Sequence, residues 1–298
     1  MKSVDLHTHS NKSDGSYSPT ELVDYAIQKG LSAIAVTDHD TTDGLAEAVA
    51  HAKSLSRSGQ PSIEVIPGIE FSTKREDKDV HIVGLYISYE SPDFDAKLQE
   101  FVNSRTTRNI KMCNNLREAG IDITYEKLQE RNPDAVITRA HYASYLLEEG
   151  YVKNRQDAFA RYLGDHTKYF VPREKVTPAQ AVSLILQAGG VPILAHPPLY
   201  HMGRDRLDRL VSSLKDVGLM GIEVLYSTYT NQDERDMLRL ASKYDLLLSG
   251  GSDFHGTNKP NLDLGVGYGR LFVPEEFLDK IKAAMIHSGD TSNETLIH

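Results

Sequence analysis

The chain has 298 residues, of which 40% are hydrophobic and 25% charged, and its formal net charge is −9 at pH 7. This is the composition of an ordinary globular protein with one large domain or two smaller ones, and an acidic chain without a long Lys/Arg cluster is not expected to bind duplex DNA. The single Cys113 excludes an internal disulfide and a thiolate metal site, and it is predicted to be a packing residue. The sequence shows no signal peptide and no apolar run of membrane-spanning length, so we expect a cytoplasmic protein without membrane contact.

Strand-like apolar segments alternate with helical segments along most of the chain. Strands are predicted at 4–6, 32–37, 63–69, 190–195, 221–225 and 246–250, and helices at 43–58, 206–217 and 232–244. Two further helix starts are marked by capping boxes with proline at the first helical position, beginning at Ser18 and Thr177, and Gly30 and Gly189 lie where the helices should end. This alternation predicts an α/β fold with a mostly parallel sheet.

Residues 94–170 break the alternation because they contain helical patterns only. Helices are expected there at 94–119, 125–130, 139–149 and 156–163. We therefore predict a helical insertion over 94–170, which caps a scaffold made of residues 1–93 and 171–298. The scaffold alone has roughly 220 residues, near the usual size of a (β/α) barrel.

Histidines and carboxylates stand at the ends of the predicted strands. His7 and His9 are two residues apart on the first strand, so regular alternation points them to the same side. The residues at or just after strand ends are His7, His9, His39, Glu70, His196, Asp253 and His255, and Asp14 follows His9 five residues later. Active sites of βα barrels form at these ends. A buried structural histidine would explain any one of these positions, but not five strand ends together.

His81 begins an apolar segment instead of ending one. If residues 63–72 and 80–87 form a hairpin that turns at Arg75 and Glu76, Glu70 and His81 lie directly opposite each other. Opposite residues have Cβ atoms about 4.5–5.5 Å apart. This register adds His81 to the cluster.

The size of the cluster indicates more than one metal ion. A catalytic zinc-type ion takes roughly three protein ligands, so six histidines and three carboxylates suit about three ions better than two. Three divalent ions and three carboxylates leave a local charge of about +3, which attracts phosphate despite the acidic surface. Imidazole and carboxylate ligands are compatible with Mn²⁺, Fe²⁺ or Zn²⁺, and the sequence does not choose among them.

The motifs DLHTHS, Asp14, TDHD, PGIE, His81, AHP and SDFH, in this order, resemble those of the polymerase-and-histidinol-phosphatase (PHP) phosphoesterase family. The resemblance runs from residue 5 to 255 and implies a distorted (β/α)7, TIM-like barrel with a trinuclear metal centre. It implies three ligand sets: His7, His9, Glu70 and Asp253; Asp14, His39 and His255; and Glu70 as a bridge with His81 and His196. All nine positions are filled, which disfavours a non-catalytic binding module.

The insertion contains ITRAHYASYLLEEGYV and DAFARYLGDHTKYFVP, which resemble the subgroup of nucleoside 3′,5′-bisphosphate phosphatases, some of which also trim RNA from its 5′ end. The resemblance implies that Arg139 and His141 face the metals, bind the substrate and act in catalysis together with Asp14. Residues two apart do not share a helix face, so both can reach a ligand only from a first turn placed by Thr138. Arg105 and Arg108 share a helix face and could clamp a second phosphate, but a solvent-exposed face is the preferred interpretation.

We therefore expect a metal-dependent phosphoesterase with three divalent ions per chain, acting on a small phosphorylated nucleotide. The best candidate reaction removes the 3′-phosphate of adenosine 3′,5′-bisphosphate to give AMP and phosphate. Histidinol-phosphate phosphatase and a 5′-3′ exoribonuclease on short RNA ends are the alternatives, and a C–N hydrolase is disfavoured by the order of the motifs. Glu223 ends a strand but has no firm role. The remaining histidines are expected to be surface or packing residues: His51, His166, His201, His287 and His298.

Overall fold

A single curved sheet carries the predicted site in the computed structural model, which describes residues 2–76, 78–172 and 176–291. Its strands are β1 (Ser3–Thr8), β2 (Ala33–Val36), β3 (Glu64–Arg75), β4 (Lys78–Leu85), β5 (Val191–Leu194), β6 (Gly221–Tyr226), β7 (Leu247–Gly251) and β8 (Val273–Pro274). They are arranged in the order β7-β6-β5-β4-β3-β2-β1-β8. The end of β7 also meets β1, because the amide of Asp253 donates to the His7 carbonyl over 2.9 Å and that of His9 to the Phe254 carbonyl over 2.9 Å. The sheet is thus a nearly closed barrel.

The strand directions confirm the predicted α/β barrel. Strands β1, β2 and β3 are parallel to one another, as are β5, β6 and β7. Strand β4 is antiparallel to both of its neighbours, and the two-residue β8 is antiparallel to β1. The seven expected strands correspond to β1–β7, and β8 adds a short edge that the sequence did not predict.

The predicted register of the β3–β4 hairpin is wrong by two residues. Arg75 pairs with Lys78 and Ser72 with His81, so the residue opposite Glu70 is Val83. Side chains along a strand alternate with a period of two, so a shift of two residues keeps His81 on the same face as Glu70. His81 therefore still joins the cluster, diagonally from Glu70 instead of opposite it.

Ten α-helices surround the sheet or form the insertion in the described part of the chain. They are α1 (Pro19–Gln28), α2 (Leu45–Arg57), α3 (Pro92–Glu118), α4 (Tyr125–Arg131), α5 (Arg139–Glu148), α6 (Arg155–Ala158), α7 (Pro178–Gln187), α8 (Arg204–Asp216), α9 (Asn231–Lys243) and α10 (Glu275–Thr291). Both predicted capping boxes are present, at Ser18 and at Thr177. Gly30 and Gly189 follow α1 and α7 with positive φ, the conformation that favours glycine at a helix end.

Three hydrophobic clusters hold these elements together. The largest packs α1, α2 and α7–α9 against the sheet, and a second joins β1–β5 to α10. The third lies within the insertion, where α3, α4 and α5 pack around residues such as Met112, Leu128 and Tyr142. Cys113 is buried in this third cluster, beside the Tyr142 hydroxyl at 3.4 Å. Among the described helices, none is long and apolar enough to cross a membrane.

Candidate metal centre

The carboxylate of Glu70, at the middle of β3, lies among five imidazoles. Its Oε2 is 3.2 Å from His7 Nε2, 3.2 Å from His9 Nε2 and 3.0 Å from His39 Nδ1. Its Oε1 is 2.7 Å from His81 Nδ1 and 3.0 Å from His196 Nε2. Both oxygens therefore face imidazole nitrogens, as the bridging role implied by the sequence resemblance requires.

The other two carboxylates complete the cluster on either side of His9. Asp14 Oδ1 lies 3.2 Å from His255 Nε2, 3.9 Å from His39 Nε2 and 4.0 Å from His9 Nδ1. Asp253 Oδ1 lies 3.2 Å from His9 Nε2 and 3.7 Å from His7 Nε2. The structure thus brings all nine residues named from the sequence into one contiguous cluster at the carboxyl end of the barrel.

The donor atoms of this cluster fit divalent cations. They form four groups with ligand atoms within 4.8 Å of one another: His9, Asp14, His39 and His255; His7, Glu70 and His196; His7, His9 and Asp253; His39, Glu70 and His81. His7 Nε2, His9 Nε2 and Asp14 Oδ1 are buried and have no partner in hydrogen-bonding geometry. Buried polar atoms of this kind normally have a partner, and bound cations would supply one to each.

The electrostatics of the cluster suit cation binding. Burial opposes ionisation of Asp14 and Glu70, but neighbouring histidines outweigh it and hold the pKa of both carboxyls well below their usual range. Burial lowers the pKa of His39 to about 3. Burial also opposes protonation of His9, but hydrogen bonds and charge from Asp253 and Glu70 raise its pKa to about 9. Asp14 and Glu70 are therefore ionised, and a bound cation would take the place of the proton that His9 holds at neutral pH.

The backbone at the strand ends is shaped to present these side chains. His196 and Asp253, each two residues past the end of its strand (β5 and β7), have φ values of 32° and 56°. Non-glycine residues with positive φ are uncommon and concentrate at functional sites. Gly251 is needed for close approach, because a Cβ there would lie 2.5 Å from His7 Cβ and 2.6 Å from its backbone nitrogen.

A cavity of about 220 Å³ separates the cluster from the insertion. The barrel contributes Asp14, His39, Ser72, Asp79 and His81, and the insertion and the segment after it contribute Arg105, Arg108, Thr138, Arg139, Ala140, Phe159, Phe170 and Val171. The preferred interpretation of Arg105 and Arg108 as a solvent-exposed face is wrong, because their exposed fractions are only 5% and 7%. The face of α3 that carries them is covered by the barrel, which a single-helix pattern does not reveal.

Arg139 and His141 lie in different environments. Arg139 lines the cavity, where its guanidinium donates to Asp79 over 2.9 Å and to Asp165 over 2.5 Å. His141 is buried behind the cavity wall, and its Nδ1 accepts from the Thr138 amide over 2.9 Å, which caps α5. Thr138 in turn donates its hydroxyl to Asp14 over 3.1 Å. A substrate contact by Arg139 is compatible with this geometry, and His141 Nδ1 is engaged in the cap of α5.

Residues outside the nine also contact the cluster. Glu223 bonds to His7, and Tyr226 and Lys259 both bond to Asp253. The position of Glu223 at a strand end was the only signal of these contacts in the sequence. His201 is exposed, His166 is exposed and His51 pairs with Asp24 away from the cluster. The side chain of His287 and all of His298 lie outside the described residues.

Comparison with known proteins agrees with this architecture. The PHP domain family matches residues 5–177. A 5′-3′ exoribonuclease of Haemophilus influenzae is 40% identical over 85% of this chain and 90% of its own, and a 3′,5′-nucleoside bisphosphate phosphatase of Chromobacterium violaceum is 36% identical over 89% and 91%.

Solved structures show the same fold. The structure of a Chromobacterium violaceum amidohydrolase with bound sulfate and no metal has a TM-score of 0.82 and 33% identity, covering 94% of this chain and 96% of its own. One from Bifidobacterium adolescentis, described as a metal-dependent phosphoesterase, has a TM-score of 0.81 and 27% identity, covering 94% and 95%. The nine-residue cluster, the barrel and these likenesses agree, and the chain belongs to the PHP domain family of metal-dependent phosphoesterases.

Proposed function

We propose that the protein removes the 3′-phosphate of nucleoside 3′,5′-bisphosphates, with adenosine 3′,5′-bisphosphate giving AMP and phosphate. The observation that carries the proposal is the arginine-lined cavity between the histidine cluster and the insertion. Such a cavity can hold one phosphate at the cluster and a second at the arginines. We further propose that the nine residues hold three divalent ions, of Mn, Fe or Zn.

The arginines suit a second phosphate in geometry, and a phosphate would compete there with the carboxylates that pair with Arg105 and Arg139. A guanidinium presents a planar fork of donors that matches phosphate oxygens. Arg105 and Arg108 are fixed by burial, so they lose little side-chain freedom when they bind. The rings of Phe159 and Phe170 lie 6.0 and 5.6 Å from the Arg139 guanidinium and offer faces on which a base can stack.

The residues of the chain divide the work of hydrolysis as follows. Divalent ions, when bound, would supply an activated water and neutralise charge on the reacting phosphate. The nine-residue cluster holds these ions, Thr138 fixes the orientation of Asp14, and the insertion excludes bulk water from one side of the cavity. Arginine contacts to the remote phosphate orient the scissile one, so part of their binding energy appears in kcat.

A 5′-3′ exoribonuclease activity is the second candidate, and the exoribonuclease relatives favour it. One such relative is the Haemophilus influenzae protein described above; another, from Escherichia coli, is 34% identical over 84% of this chain and 84% of its own. Release of a 5′-nucleotide from a 5′-phosphorylated RNA end breaks the bond between phosphorus and the 3′ oxygen. That is the same bond that is broken in a 3′,5′-bisphosphate, so one site can serve both reactions.

Initial rates over a panel of substrates test the proposal. The panel contains adenosine 3′,5′-bisphosphate, 3′-AMP, histidinol phosphate and a 5′-phosphorylated dinucleotide. We expect the bisphosphate to exceed 3′-AMP by about tenfold or more in kcat/KM, which corresponds to roughly 1.4 kcal/mol from the second phosphate. Equal turnover of these two, or a preference for histidinol phosphate, would contradict the proposal. Faster release of AMP from the dinucleotide would favour the exoribonuclease instead.

A further inference from the structure

We infer that β6, which contributes none of the nine candidate ligands, positions three of them through Glu223 and Tyr226. Glu223 contacts His7 on β1 and the backbone of His196 after β5, while Tyr226 contacts Asp253 after β7. Neither residue is assigned a role by the family resemblance. The inference rests on the nine-residue metal cluster and not on the identity of the substrate.

Glu223 bridges two hydrogen-bond donors. One oxygen lies 2.9 Å from His7 Nδ1, and the other accepts from the His196 amide over 2.7 Å. Since the partner is a carboxylate oxygen, His7 donates from Nδ1. This leaves Nε2, the buried atom that faces Glu70 and has no hydrogen-bond partner, as the nitrogen that can contact an ion.

An irregularity in β6 lets Tyr226 join Glu223 on the side of the cluster. Glu223 pairs with Ser249 and Leu225 pairs with Gly250, so β6 has one extra residue between these two pairs. In a regular strand, residues 223 and 226 would point to opposite faces. A β-bulge re-aims the side chains that follow it, and here it brings the Tyr226 ring to 5.4 Å from the His196 ring.

Tyr226 and the neighbouring Lys259 occupy one oxygen of Asp253. The Tyr226 hydroxyl and the Lys259 ammonium each lie 2.5 Å from Asp253 Oδ2. The other oxygen, Oδ1, faces His9 Nε2 at 3.2 Å. Asp253 is therefore held so that a single oxygen is directed at the histidines, which sets how it can contact an ion.

Substitution of Glu223 by Gln removes one acceptor without changing the shape of the side chain. Whichever way the amide is turned, its NH₂ group faces either the His7 ring or the His196 amide, and one donor loses its acceptor. Loss of a contact that orients a metal ligand typically weakens metal affinity 10- to 100-fold. We expect Glu223→Gln to weaken Mn²⁺ binding by this factor, measured by equilibrium dialysis of the chelator-treated protein and elemental analysis.

Tyr226→Phe removes one oxygen atom, and Tyr229→Phe is its matched control. Tyr229 is also buried and packs on the Tyr226 ring at 5.3 Å, but its hydroxyl faces the Glu223 carbonyl at 3.5 Å and no candidate ligand among the described residues. We expect Tyr226→Phe to weaken Mn²⁺ binding about tenfold and Tyr229→Phe to leave it within twofold of wild type.

The melting temperature of the metal-free protein separates positioning from a merely structural role. A positioning role predicts that Mn²⁺ affinity falls in Tyr226→Phe while the metal-free melting temperature stays within 2–3 °C of the Tyr229→Phe value. Wild-type Mn²⁺ affinity in both Glu223→Gln and Tyr226→Phe would overturn the inference. If Glu223→Gln does not fold, Tyr226→Phe alone decides. A wild-type protein that binds none of Mn²⁺, Fe²⁺ and Zn²⁺ would overturn the ligand assignment and this inference with it, whatever its substrate.

Discussion

Replacing Arg105 by Met should destabilise the protein strongly, because it removes the guanidinium that pairs with a buried carboxylate. Arg105 forms an ion pair with Asp40 and donates to Ser72 Oγ over 3.0 Å. The side chain of Asp40 has no exposed surface and that of Arg105 is only 6% exposed. Methionine keeps most of the length and the apolar stem of the arginine, so the substitution tests the charge and its hydrogen bonds more than the packing.

The expected loss of stability follows from the burial of the Arg105–Asp40 ion pair. Removing one partner of a buried ion pair costs about 3–5 kcal/mol, because the other charge stays in a poorly solvated place. Unfolding entropy of about 2.1 cal/mol/K per residue amounts to roughly 0.6 kcal/mol/K for a chain of this length. We therefore expect the melting temperature of Arg105→Met to fall by about 5–8 °C.

Thermal unfolding in the presence of a chelator measures this directly, since bound ions would add their own stabilisation. Arg204→Met is the matched control, because Arg204 is 83% exposed and pairs with Asp236 at 3.4 Å on the surface; its unfolding free energy should change by less than about 1 kcal/mol. The double variant Arg105→Met/Asp40→Asn should recover at least half of the loss. A melting temperature of Arg105→Met within 2 °C of wild type would refute the buried pair.

Three further outcomes follow from the site. Arg139→Ala should keep its metal content and lose about 10- to 150-fold in kcat/KM for the bisphosphate, the value of one charge-assisted phosphate contact. Unchanged kinetics would mean that Arg139 pairs with Asp79 and Asp165 and does not contact the substrate. Elemental analysis of gently purified protein should show more than two divalent ions per chain, and fewer in Asp253→Ala. Saturation at one ion per chain would refute the trinuclear proposal. Gly251→Ala should lose both metal content and thermal stability because its Cβ would overlap His7, while Gly203→Ala, where a Cβ meets nothing within 4 Å, should change neither appreciably.

Seven of the nine candidate ligands could be named from the sequence because each lies at or just after the end of an apolar segment, whereas Asp14 and His81 lack this signal. His39, His196 and Asp253 lie within three residues of the ends of apolar segments, and an apolar segment bounded by turn residues predicts a buried strand whatever surrounds it. The carboxyl ends of parallel strands meet at one edge, so the convergence of these residues follows from the fold class alone. The capping boxes at Ser18 and Thr177 were equally local, since their partners lie three residues away.

Tertiary contacts decided what no local pattern contains. The β3–β4 register differs by two residues because turn geometry, and not the alternation of side chains, sets where a hairpin reverses. Arg105 is buried because the barrel covers its face of α3, and the periodicity of a helix does not tell which neighbour covers that face. Tyr226 reaches Asp253 only through an extra residue in β6, a feature of strand pairing between β6 and β7. The sequence alone predicted which groups are candidate ligands, whereas the packing of distant segments determined which residues contact and orient those groups.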